Sequence, residues 1–91
     1  MPRFYFDFQN GTSRIDDEEG VELEGLETGR REALRTLGEV AREALSKGDE
    51  QTLRASIRDA NGHVAYTATV TVTGTWHPTS IDPVSRPRER G

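Results

Sequence analysis

A chain of 91 residues, 32% hydrophobic and 31% charged, leaves room for one domain with a thin core. Cysteine is absent, which excludes disulfides and thiolate zinc sites as sources of stability. The net charge of −4 is uneven: residues 1–50 carry 7 Lys/Arg against 13 Asp/Glu, whereas a general nucleic-acid binder gathers basic residues on one face.

The chain opens Met1-Pro2-Arg3-Phe4-Tyr5-Phe6-Asp7, and Asp7 ends the apolar run at once, unlike the charged-then-apolar plan of a signal peptide. No apolar stretch approaches the roughly 18 residues a membrane span requires. These features predict a cytoplasmic protein with no membrane partner. From Arg3 to Gln9, Phe4, Phe6 and Phe8 alternate with Tyr5 and Asp7, the period of a half-buried strand. Asn10-Gly11 follows, the dipeptide best suited to a type I′ turn. A turn centred there pairs Gln9 with Thr12, Asp7 with Arg14 and Phe6 with Ile15, setting opposite charges across from each other.

Residues 16–25 (Asp-Asp-Glu-Glu-Gly-Val-Glu-Leu-Glu-Gly) read as an acidic loop. From Leu26 to about Ser46 the spacing turns helical, with Leu26, Arg30, Ala33, Leu34, Leu37, Val40, Ala41, Ala44 and Leu45 on one stripe. Glu24 and Glu27 suit the positive end of the helix dipole, and Lys47-Gly48 reads as a basic last turn with a glycine cap. Glu27–Arg31 and Arg35–Glu39 are spaced for ion pairs on the exposed face. Gly29 and Gly38 lie inside the helix, where each costs about 1 kcal/mol relative to alanine, and close approach to the sheet is the expected compensation.

Leu53, Ala55 and Ile57 alternate with polar residues, as do Tyr66, Ala68, Val70 and Val72 with threonines. A two-residue turn on Asn61-Gly62 pairs Ile57 with Tyr66, Ala55 with Ala68 and Leu53 with Val70, which puts the apolar residues on one face. The expected fold is α+β, β-β-α-β-β: a four-stranded, mainly antiparallel sheet with one long helix on one face. Numbering those four strands in chain order, 2-1-3-4 and 2-1-4-3 both satisfy the pattern. Phe4, Phe6, Phe8, Ile15, Leu53, Ile57, Tyr66, Val70 and Val72 are expected to meet Leu34, Leu37, Ala41 and Leu45. Residues 1–76 form the single domain, and 77–91, with three of the four prolines, read as a flexible tail bearing Arg86, Arg88 and Arg90.

No motif marks a catalytic site. His63 and His77 have no nucleophile at a motif spacing, and Gly20 and Gly25 flank acids that repel phosphate. Asp16, Asp17, Glu18 and Glu19 are weak metal candidates, because consecutive carboxylates diverge and the ordering of a calcium loop is missing. A solvated acidic turn that complements the helix N-terminus is the plainer reading, so no metal and no cofactor is expected. Tyr5, Arg14, Arg54, Arg58, Thr67, Thr69 and Thr71 share the sheet face away from the helix and form the candidate partner surface. One tyrosine and a few arginines fall short of a single-strand nucleic-acid platform. The threonine-rich last strand or the second strand, if at an edge, is poorly protected against pairing with another chain.

The stretch Met1-Pro2-Arg3-Phe4-Tyr5-Phe6-Asp7, then Asn10-Gly11, Asp17-Glu18-Glu19-Gly20-Val21-Glu22-Leu23, and Leu26-Glu27 leading to Arg31-Glu32-Ala33-Leu34, resembles a family of small bacterial domains of unknown function (family number 6894) over about residues 1–73. Relatives often carry Pro-Asp before the helix, where this chain has Glu24-Gly25, a weaker N-cap. The resemblance implies a bacterial origin and supplies no activity. The hairpin-then-helix layout is also similar to that of small antitoxins of the HicB kind, at the level of fold alone. The expected function is a non-enzymatic interaction or structural module that associates with itself or with another protein. The alternative is a regulatory, antitoxin-like or nucleic-acid-associated protein.

Overall fold

In the computed structural model, residues 1–78 are described; the expected tail, apart from His77 and Pro78, lies outside them. The strands are β1 (Arg3–Asn10), β2 (Ser13–Ile15), β3 (Val21–Glu22), β4 (Glu50–Arg58) and β5 (Val64–Thr73), with one helix, α1 (Leu26–Ala44), between β3 and β4. They form a five-stranded antiparallel sheet in the order β2-β1-β4-β5, with β3 pairing β1. The α+β class holds, and the hairpins meet through their first strands, the first of the two expected orders. No helix among the described residues is long and apolar enough to cross a membrane.

The first hairpin differs from its expected register by two residues. Phe8 faces Ile15, Gln9 faces Arg14 and Asn10 faces Ser13, so the turn is Gly11-Thr12. Asn10 is drawn into the sheet because it also pairs with Leu53, and the Gly11 amide donates to the Thr52 carbonyl at 3.2 Å. Gly11 has φ +61° and no non-glycine residue among the described residues has positive φ, which excludes type I′ and fits type II′, with glycine in the first central position. Arg14 therefore faces Gln9, and Asp7 turns to another partner.

In the second hairpin the pairs Leu53–Val70, Ala55–Ala68 and Ile57–Tyr66 are as expected. The turn is longer than two residues. The Gly62 amide donates to the Asp59 carbonyl, and the Asp59 carboxylate accepts from the Asn61 and His63 amides. Arg58 pairs with Val64, so Ala65 is the extra residue that restores the register at Tyr66.

α1 lies mainly against β4 and β5. Its buried line is Gly29, Ala33, Leu37 and Ala44, mostly small residues, which meets Phe4, Leu53, Ala55 and Ile57. Three expected core members are corrected by this placement: Ile15 is 71% exposed, Leu45 57% and Leu34 37%. Ile15 lies beyond the helix, and Leu34 and Leu45 flank the buried line. Gly29 does mark a close approach, since a Cβ there would sit 3.4 Å from Ile57 Cδ1 and Leu23 Cδ1. Gly38 does not, for a Cβ there meets nothing within 4 Å.

Both helix ends depart from the sequence reading. Gly25 is the N-cap and supplies no side-chain hydrogen bond, as the missing Pro-Asp implied. The C-terminus stops at Ala44 with Leu45 as the cap, and the Ser46 and Lys47 amides donate to carbonyls three residues back. Gly48 takes no positive φ and is not the cap. Arg35 contacts Glu39 at 3.6 Å as expected, and also Glu32 at 2.6 Å; Glu27 pairs with Arg30 rather than Arg31.

Candidate functional site

The acidic segment is not a free loop. β2 pairs β1 from Phe8 to Asn10 and β3 pairs it again at Arg3 and Phe4, along the same edge. Between those pairings β1 advances three residues, Tyr5 to Asp7, while the other chain spends five, Asp16 to Gly20. The surplus arches over the sheet face opposite the helix. One β1 amide, that of Phe6, meets no strand there, and the Asp17 carboxylate takes its place, accepting from it at 3.1 Å. The other Asp17 oxygen accepts from the Glu19 and Gly20 amides at 3.1 Å each, closing a tight turn.

Beneath the arch Asp7 is 7% exposed, the one buried charged side chain among the described residues. Arg58 holds it with a two-pronged contact, Nε to Oδ2 at 2.6 Å and Nη2 to Oδ1 at 3.1 Å. The same Nη2 donates to the Asp17 carbonyl at 2.9 Å, and the Asp17 amide donates to Asp7 Oδ1 at 2.9 Å. The Arg58 guanidinium carbon stands 5.1 Å from the centre of the Tyr5 ring. No buried side-chain nitrogen or oxygen among the described residues lacks a partner. The Arg58 hydrogen bond holds the Asp7 pKa below its ordinary 3.8 against the opposing effect of burial. At Asp17 burial is the largest single influence and pushes upward, but the amide donations from Phe6, Gly20 and Glu19 together leave the pKa lowered.

These contacts redistribute the candidate residues. Asp17 is committed to backbone amides and Asp16 to Arg14 at 2.8 Å, and Glu18 and Glu19 face solvent. Among the described residues no group of three or more metal-ligating side chains is positioned around a common point. Residues 16–20 lie over the sheet face opposite the helix, where Asp17 contacts Asp7 and Arg58. Of the expected partner surface, Tyr5 and Arg58 belong to this knot. Arg14, Arg54, Thr67, Thr69 and Thr71 are exposed, in rows fixed by the pairs Gln9–Arg14, Gln9–Arg54, Arg54–Thr69, Ser56–Thr67 and Thr52–Thr71. Arg54 reaches Thr69 Oγ1 at 3.4 Å.

Two features escaped the sequence reading. The first is a pair of apolar grooves on the helix side, where α1 leaves part of β1 uncovered; Phe8 lines both, with Phe6, Val21 and Leu23 in one and Ile15, Leu37 and Val40 in the other. The second is the direction of the β5 backbone. The Gly74 amide donates to the Asp49 carbonyl at 2.7 Å, so the Asp49–Gly74 level is a hydrogen-bonded pair. Antiparallel pairs alternate, so Val72, Val70, Ala68 and Tyr66 turn their amides and carbonyls to β4, and Thr73, Thr71, Thr69 and Thr67 turn theirs outward. Among the described residues no strand pairs with that outer side. The edge runs 10 residues, Val64 to Thr73, without a charge or a proline.

Two outcomes follow for the knot. Gly20 has φ +74°, and a Cβ there would lie 2.8 Å from Tyr5 Cε2 and 2.9 Å from the Phe4 carbonyl oxygen. Gly20→Ala is therefore expected to cost about 2–4 kcal/mol in urea unfolding, through both the backbone conformation and the clash; a change within about 0.5 kcal/mol contradicts the packing described. Both Asp7 and Asp17 have lowered folded pKa values, so their contribution is complete above the ordinary carboxylate range and is lost as pH falls through it toward those lower values. The urea midpoint is expected to stay level from about pH 7 to 5 and to fall below about pH 4; a loss already complete at pH 5 contradicts it.

No curated protein and no solved structure matches the chain. A family model does, the domain of unknown function DUF6894, over residues 3–71, which takes in every strand and the helix except the last two residues of β5. The knot, with Asp7, Asp17, Gly20 and Arg58, falls inside that span, and the chain belongs to the DUF6894 family.

Proposed function

We propose that the domain is a non-enzymatic interaction module that associates with itself by extending its sheet across β5. The observation that carries this reading is the outer edge of β5, with outward amides and carbonyls on Thr67, Thr69, Thr71 and Thr73 and no charge or proline along the strand. Edges left to solvent are usually blunted by charge, proline or a short length. The opposite edge of this sheet is blunted in that way, by the short β2, the arch and the short β3. The apolar row of β5 (Tyr66, Ala68, Val70 and Val72) is half-buried and gains cover from a strand added beside it. A cytoplasmic, bacterial setting accompanies the proposal, from the cysteine-free composition and the family resemblance. The regulatory alternative needs a free basic face, and Arg14 and Arg58 both carry carboxylate partners.

Light scattering on the full chain over a concentration series tests the reading. The mass is expected to rise from monomer to dimer with concentration. Thr71→Pro removes an outward amide without touching the β4 ladder, so it should shift the protein to monomer with unchanged far-UV circular dichroism. A strict monomer at the highest soluble concentration overturns the proposal.

A further inference from the structure

We infer that two copies join β5 to β5 antiparallel about a two-fold axis at Thr69, and that the same axis brings the two α1 helices together between Leu34 and Gly38, so that Leu34 of each packs on Gly38 of the other. This rests on the reading of β5 as the self-association edge and specifies its partner, a second copy of this chain, and its register. The outward backbone groups belong to odd-numbered residues, so odd must pair with odd across the new junction. That leaves few symmetric registers. An axis at Ala68 sets two alanines face to face on the helix side and leaves a gap. One at Val70 sets Tyr66 against Gly74 of the second copy. With the axis at Thr69, Tyr66 meets Val72 and Ala68 meets Val70 of the second copy, large beside medium and small beside medium, while Thr67 meets Thr71 on the far face.

The helix supplies an independent argument. Thr28, Glu32, Thr36 and Val40 line the grooves beside β1, β2 and β3, which assigns that flank of α1 to the β1 side. At helical spacing the opposite flank, toward β5, carries Leu34, Gly38, Ala41 and Leu45. Leu34 is 37% and Leu45 57% exposed, and Gly38 between them meets nothing. An exposed apolar flank with a glycine in its middle is what a close helix–helix contact uses. Because α1 rests on β4 and β5, joining β5 to β5 separates the two helices by about two strand spacings, roughly 10 Å, the distance at which helices pack.

The levels agree as well. Gly29 sits against Ile57, which faces Tyr66, and Leu37 shares a groove with Leu53, which faces Val70. Thr69 faces Arg54, one residue from Leu53 toward Ile57, so its level falls near Arg35, and the two-fold at Thr69 passes between Leu34 and Gly38. The helices run antiparallel there, which sets the acidic first turn of each (Glu27) toward the basic last turn of the other (Arg42).

The test combines oxidation of Thr69→Cys with light scattering of Gly38→Gln, both in the full chain. Residue 69 meets its own copy at the axis, so Thr69→Cys is expected to form a symmetric disulfide while Ala68→Cys and Val70→Cys form little. Gly38→Gln places its side chain in open space in the monomer and improves helix propensity, so the monomer stays folded while dimer dissociation rises at least about tenfold. Dimers that cross-link through residue 68 or 70 instead, or that ignore Gly38→Gln, overturn this arrangement and leave self-association standing. A wild-type chain that stays monomeric overturns both.

Discussion

A carboxylate stands in for a missing length of strand. Between β2 and β3 the chain leaves the ladder, and the Phe6 amide is satisfied by Asp17 rather than by a neighbouring backbone carbonyl. The arch this creates covers Asp7, which must then find a cation, because a buried carboxylate without one carries a heavy desolvation cost. Arg58, on the neighbouring β4, is that cation, and its second contact to the Asp17 carbonyl ties the arch to the sheet. One interaction set thus joins the first hairpin to the second across the β1–β4 seam. In a domain with few large buried side chains, this knot closes the face that the helix does not cover.

The sheet that results is asymmetric. Its β2–β3 side ends in two short strands and a folded arch, whereas its β5 side ends in ten residues of uncharged strand. The helix shares the bias, resting on β4 and β5 and leaving Phe6 and Phe8 lining grooves toward β1. The threonine side chains of β5 occupy the polar face and its small apolar residues the helix face, so an added strand extends both layers at once.

Much of this was legible in the sequence where a single period decides the outcome. The alternation of Leu53, Ala55 and Ile57 against Tyr66, Ala68 and Val70 fixed the second hairpin's register, since a slip by one residue turns every apolar side chain to water. The Asn-Gly pairs misled about turn type. In the first, Asn10 was claimed by its pairing to Leu53; in the second, Asp59 began the turn two residues earlier. The knot was missed because Asp17 reads as one acid among several. A local signal did exist: Asp17 with Gly20 three residues on is the same Asp-x-x-Gly spacing as Asp59 with Gly62, and in both the aspartate accepts from nearby amides. The Asp7–Arg58 pairing joins residues far apart in sequence, and no period reveals it. Leu34 and Leu45 fell on the helical stripe, but a stripe wider than the contact cannot show which flank stays uncovered.

The knot's standing as a structural unit rests on the coupling between Asp7 and Arg58. A double-mutant cycle with Asp7→Asn, Arg58→Met and the pair, read by urea unfolding at neutral pH, measures it directly. The account predicts a coupling energy of about 1.5–3 kcal/mol, as for a buried, two-pronged ion pair in a shared network. A coupling below about 0.5 kcal/mol, the value of an ordinary exposed ion pair, would contradict it.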